Sequence, residues 1–180
     1  MSAECSVCTA ASYFEISDTK QWYEALTQAC KEIEIDLSWN EASDQAVNQT
    51  IDEEALFALS LCAAYLDEGK EPPAKLKSTW DEDKTYLAAM KNKKAKFRYF
   101  YQDIDCLLPA DFNFSFVFAD INAEEMVYAS LFEFERQLET IQKQLTGKSN
   151  PCIDLAKQAI LFYTELIQMA KSEKLPLWIG

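Results

Sequence analysis

Thirty carboxylates, six cysteines and no histidine are the chemical resources of this 180-residue chain. The missing histidine excludes His-based triads, Cys-His nucleophile pairs, phosphohistidine relays and every His-containing metal motif, because imidazole is the side chain that ordinarily exchanges protons near neutral pH. Glycine-rich phosphate loops are excluded as well, since Gly69, Gly147 and Gly180 each stand alone. Cys5-Ser6-Val7-Cys8 has the CxxC spacing in which one thiol activates the other or both grip a metal. No second CxxC and no histidine completes a tetrahedral site, so these thiols read as incidental.

Carboxylates alone could hold a divalent cation in a helical enzyme if they projected at i, i+3 or i, i+4 into a bundle interior. The dense groups Asp52-Glu53-Glu54, Asp67-Glu68 and Asp81-Glu82-Asp83 fall instead at expected helix ends, where capping and the helix dipole account for them. Glu135 and Glu139 lie four apart, in a row that avoids the apolar seam of their helix. No catalytic residue, metal ligand or cofactor is assigned. Lys91, Lys93, Lys94, Lys96 and Arg98, followed by Tyr99, Phe100 and Tyr101, superficially resemble a nucleic-acid patch of cations and stacking aromatics. A net charge of −13 repels nucleic acid and argues against that use.

The acidity is uneven along the chain. Residues 1–90 hold 18 acidic and 6 basic side chains, and residues 91–180 hold 12 and 11. A field of that sign speeds encounter with basic partners. The expectation is an acidic binding domain that neutralises or chaperones a basic protein, as an immunity protein or antitoxin does against a bacterial toxin. Its expected contacts are Asp52, Glu53, Glu54, Asp67, Glu68, Asp81, Glu82 and Asp83, with Trp39 or Trp80 as aromatic anchors. Two alternatives stand beside it: a His-free helical enzyme using an Asp/Glu-bound divalent metal, and a DNA-mimicking inhibitor of a DNA-binding protein.

Location follows from what the chain lacks. The cysteines outside the CxxC are spread singly among apolar neighbours rather than arranged as a disulfide framework, and residues 1–17 carry no basic leader. The longest apolar stretches, such as 55–66, fall well short of the ~20 residues a membrane span needs. A cytoplasmic monomer or homodimer that binds neither membrane nor nucleic acid is expected.

The elements that must position these residues read as helical. Few glycines and prolines punctuate the chain, and apolar spacings of three and four recur. Trp22, Leu26, Cys30 and Ile33 predict a helix over 17–35. Thr50-Ile51-Asp52-Glu53 and Thr79-Trp80-Asp81-Glu82 are capping boxes that predict helices over 52–66 and 79–92. Phe97, Tyr101, Ile104 and Leu108 favour another helix. Phe112, Phe114, Phe116 and Phe118 alternate as a strand over 111–120, to be paired with 97–102 or 12–16. Asn122 predicts the start of a long helix to 145 with a seam of Val127, Leu131, Phe134, Leu138, Ile141 and Leu145. Asn150 and Pro151 open another to 171, whose Ile153, Ala156, Ile160, Tyr163 and Ile167 repeat that seam in register, so the two form an antiparallel hairpin. The expected fold is all-α, one helical domain over 1–180 of five or six helices, with a short extended or β-hairpin segment near 97–118 and a frayed N-terminus over 1–11.

Overall fold

A computed structural model describes residues 1–180. The fold is α/β and not mainly α: 47% of residues are helical and 17% lie in a six-stranded mixed sheet. In chain order the elements are β1 (Ser2–Cys8), α1 (Ala10–Tyr13), α2 (Lys20–Glu32), β2 (Ala46–Asp52), α3 (Glu53–Asp67), α4 (Lys84–Lys91), β3 (Cys106–Leu108), β4 (Ser115–Ala119), β5 (Glu125–Ser130), α5 (Leu131–Leu145), α6 (Pro151–Glu173) and β6 (Leu177–Ile179). Short 3₁₀ turns occupy Trp80–Glu82 and Arg98–Phe100. The strand order is β2-β1-β6-β3-β5-β4, with β3–β5 parallel and β1–β6, β3–β6 and β4–β5 antiparallel.

The chain divides into two compact units. One comprises Met1–Ala3, Ile51–Asp103 and Arg136–Thr164; the other comprises Glu4–Thr50, Ile104–Glu135 and Glu165–Gly180.

The second unit holds nearly all of the sheet. Residues 1–11, expected to fray, form β1 and the start of α1, and Cys5, Val7 and Cys8 are buried. β1 is an inner strand that pairs Cys5, Ser6 and Val7 with Ile179, Trp178 and Leu177. Trp178 is fully buried, stacks on Tyr13 at 4.5 Å, and donates its indole N–H to the Cys8 carbonyl at 3.0 Å. The Phe alternation does make a strand, β4, whose partner is β5 rather than 97–102 or 12–16; Phe116 faces Tyr128 with rings stacked at 5.6 Å.

The expected helix start at Asn122 is instead the turn of this hairpin. Asp120 Oδ1 accepts the Asn122 and Glu124 N–H groups at 2.8 Å each, which closes the turn. Helix α5 begins eight residues beyond Ala123, directly after β5, and Ser130 Oγ accepts the Glu133 N–H at 3.1 Å as its cap. The last turns of α6 return past the first turn of α5, where Lys171 Nζ meets Glu135 at 2.8 Å, so these two helices run antiparallel.

The first unit is helical. α3 is apolar on most sides, as its sequence suggests, and buries Ala58, Leu59, Leu61, Cys62, Ala63 and Ala64. The run expected as a helix over 97–108 is a single 3₁₀ turn followed by residues that enter β3 in the sheet unit. Phe97 and Tyr99 are buried at 2% exposure each.

Candidate partner-binding face

Nine of the ten sequence-predicted contact residues lie in the helical unit, and Trp39 lies in the sheet unit. Asp52 caps α3 and accepts the Glu54 N–H at 3.1 Å; the capping residue is thus Asp52, while Thr50 belongs to β2. Asp52 and Glu54 are exposed and Glu53 is half-buried. Asp83, not Thr79, caps α4: its Oδ1 accepts from Thr85 N at 2.8 Å and Tyr86 N at 3.1 Å, and its Oδ2 accepts from the Tyr65 hydroxyl at 3.0 Å. Burial, followed by that bond to Asp83, pushes the Tyr65 phenol up. Asp67 is equally engaged, taking Lys96 N at 2.8 Å on Oδ1 and Phe97 N at 3.1 Å and the Tyr101 hydroxyl at 2.8 Å on Oδ2. Glu68 is half-buried at the end of α3. Asp81 and Glu82 are exposed on the 3₁₀ turn. Asp67 and Asp83 are therefore structural acceptors, and Asp52, Glu54, Asp81 and Glu82 are the carboxylates open to a partner.

The two tryptophans have different fates. Trp39 is 6% exposed, packs its ring on Tyr23 and Trp22, and donates its indole N–H to Glu41. Glu41 also accepts from Ala10 N, Ala11 N and the Thr19 hydroxyl, so Trp39 is fixed in a core network and cannot serve as an anchor. Trp80 is half-buried, stacked on Phe57 at 4.6 Å with the Tyr86 ring edge-on at 4.9 Å. It separates two open clefts of about 520 and 290 Å³. Asp52, Glu53 and Glu54 line the larger one, yet Lys75 and Lys77 line both. The acidic trio at the larger cleft thus faces cations from the same unit.

Summed by unit, the charges separate somewhat further than along the sequence, and the acidity falls on different residues. The helical unit carries 12 acidic and 13 basic residues, a net of +1; the sheet unit carries 18 acidic and 4 basic, a net of −14. The more acidic surface is therefore one that the sequence reading did not select, made by exposed residues such as Glu15, Asp18, Glu24, Glu32, Asp36, Asp44, Asp111, Glu124 and Glu125. A signal existed: residues 104–135 contain seven carboxylates and neither lysine nor arginine.

Burial suppresses the nucleophilicity of three of the six thiols. All six cysteines are free and buried. Burial pushes the Cys5 thiol up to about 12 and the Cys8 and Cys30 thiols up to about 11, which keeps them protonated at neutral pH. No group of three or more Cys, Asp or Glu side chains comes together as a metal cage. No helix is long and apolar enough to cross a membrane.

Fold and face define a small α/β protein with one strongly acidic unit. No protein-family model, no curated protein and no solved structure matches the chain.

Proposed function

We propose that this protein is an acidic binding domain that neutralises or chaperones a basic protein partner, in the manner of an immunity protein or antitoxin acting in the cytoplasm. The observation that carries the reading is the charge of the sheet unit, 18 acidic against 4 basic residues. A field of that strength raises association rates with a cationic surface by one or more orders of magnitude at low salt, and it repels nucleic acid and anionic lipid. Six free, buried thiols suit a reducing compartment. On this reading the partner meets the sheet unit first.

The test is an affinity capture from the native host at low and then high salt, followed by charge reversal on the recovered partner. Glu24, Glu32 and Asp36 changed together to Lys should slow association about tenfold or more at low salt. Glu54, Asp81 and Glu82 changed together to Lys should slow it less than about threefold, because their unit is already neutral. Equal effects of the two triples would refute the assignment to the sheet unit, and salt-insensitive association would remove the electrostatic reading. Displacement of the partner by duplex DNA would move the conclusion to a DNA-mimicking inhibitor.

A further inference from the structure

Cys62 and Cys152 meet in the core of the helical unit with their sulfurs 3.9 Å apart and neither side chain exposed. The two are 90 residues apart in sequence, on the middle of α3 and in the first turn of α6. Two sulfurs at that separation are in van der Waals contact, and each needs to move only about 1 Å to reach a bonded distance of ~2.05 Å. We propose that Cys62 and Cys152 are an oxidisable dithiol, a site at which hydrogen peroxide installs a disulfide joining α3 to α6.

The chemistry is balanced by the peroxide alone. The Cys152 thiolate attacks one peroxide oxygen, the O–O bond breaks, and the departing hydroxide takes up the thiol proton as water. The resulting Cys152 sulfenic acid is then attacked by the Cys62 sulfur, which forms the S–S bond and expels the second oxygen as water with the Cys62 proton. Two thiols and one peroxide give one disulfide and two waters.

The surroundings assign the order of attack. Cys152 sits in the first turn of the 23-residue α6, whose positive end favours its thiolate, while Cys62 lies in the middle of α3 with no such help. Access follows from the same loop that shapes the clefts beside Trp80. Cys152 N–H points to the Ala74 carbonyl at 3.5 Å, Pro151 and Leu155 on either side of Cys152 wall the larger cleft, and Leu61 beside Cys62 walls the smaller. Neither sulfur is exposed, so peroxide reaches the pair when these walls open locally.

The experiment treats the reduced, folded full chain with hydrogen peroxide, quenches with an alkylating agent under denaturing conditions, and reads intact mass and a non-reducing peptide map. The expected product has lost 2 Da, carries four alkylated cysteines, and yields a Cys62–Cys152 crosslinked peptide. Closing so long a loop should raise its Tm by roughly 5–10 °C over the reduced protein. Cys62→Ala and Cys152→Ala, checked by circular dichroism to be folded, should each fail to give the product. No mass loss in the folded wild-type chain, or a crosslink mapping to any other pair, would overturn the proposal; the wild-type map does not depend on either variant folding.

Discussion

Replacing Asp67 by Ala separates a structural carboxylate from a partner-binding one. The side chain takes three donors: Lys96 N, Phe97 N and the Tyr101 hydroxyl. Lys96 is exposed, so its N–H returns to water at little cost. Phe97 is 2% exposed, and its N–H and the Tyr101 hydroxyl would be left without their acceptor. A stranded buried donor costs ~1–3 kcal/mol and the half-buried Tyr101 hydroxyl less, so the pair predicts a loss of about 2–3 kcal/mol and a Tm drop of roughly 5–10 °C for a chain of this size. Tyr101→Phe should lose about 1–2 kcal/mol, and the double variant should lose less than the sum because the two changes remove one shared bond. Urea denaturation of the four proteins, with exposed Asp81→Ala as the reference within about 0.5 kcal/mol of wild type, measures this. If Asp67→Ala is as stable as Asp81→Ala, the network around Phe97 and Tyr101 does not hold the segment after α4, and Asp67 returns to the list of partner contacts.

Two further outcomes follow from single features. Cys5, Cys8 and Cys30 have folded values pushed up to about 12, 11 and 11, against about 9 when unfolded. Above pH 9 the unfolded chain therefore binds fewer protons than the native one, and stability falls by up to ~1.4 kcal/mol per pH unit for each group between pH 9 and about 11; a flat pH–Tm profile over that range would contradict the burial of these thiols. Lys174 closes α6 with φ 53°, its neighbour Leu175 N–H bonding back to Ala170 O at 3.0 Å. Lys174→Gly should stabilise by about 0.5–1 kcal/mol by relieving left-handed strain, read as a higher urea midpoint.

The helices were legible wherever a long amphipathic repeat met a cap. α6 starts where Asn150 and Pro151 place it, with Asn150 Oδ1 taking Ile153 N–H at 2.8 Å, and the core positions Trp22, Leu26 and Cys30 of α2 are the ones its spacing selects. The sheet was illegible for a physical reason. β3 and β6 have only three residues each, and β3 is buried throughout, so neither has the length or the polar alternation from which a period of two could be read. β5 runs straight into α5, so its Val127 was absorbed into the helical repeat that Leu131 and Phe134 continue. The helix ends without glycine also hid boundaries, since Glu34 and Lys174 take left-handed positions that glycine usually announces. For the contact residues, sequence placed carboxylates correctly at or next to helix termini but could not say that Asp67 and Asp83 are consumed by Tyr101 and Tyr65, or that Trp39 is held by Glu41.

Charge shows most clearly why order along the chain misleads. Each unit is assembled from three separate segments, so sequence halves of −12 and −1 come close to the unit values of −14 and +1 yet assign the acidity to the wrong residues. What a partner feels is the charge within about a Debye length, ~8–10 Å at ordinary ionic strength, and that is a property of the unit. The same repulsion acts on the sheet unit itself, where Lys20, Lys31, Lys171 and Lys174 are the whole positive complement and Lys171 is already paired with Glu135. Raising NaCl from about 10 to 200 mM should therefore raise the Tm of the free protein, by screening self-repulsion, while it slows association with the basic partner. These opposite signs are the mark of one acidic surface doing both things. If salt lowers the Tm, favourable ion pairs outweigh the crowding of carboxylates in the sheet unit; if salt raises the Tm and leaves association untouched, the partner is recognised elsewhere, and the neutral cleft beside Trp80 and Phe57 becomes the place to look.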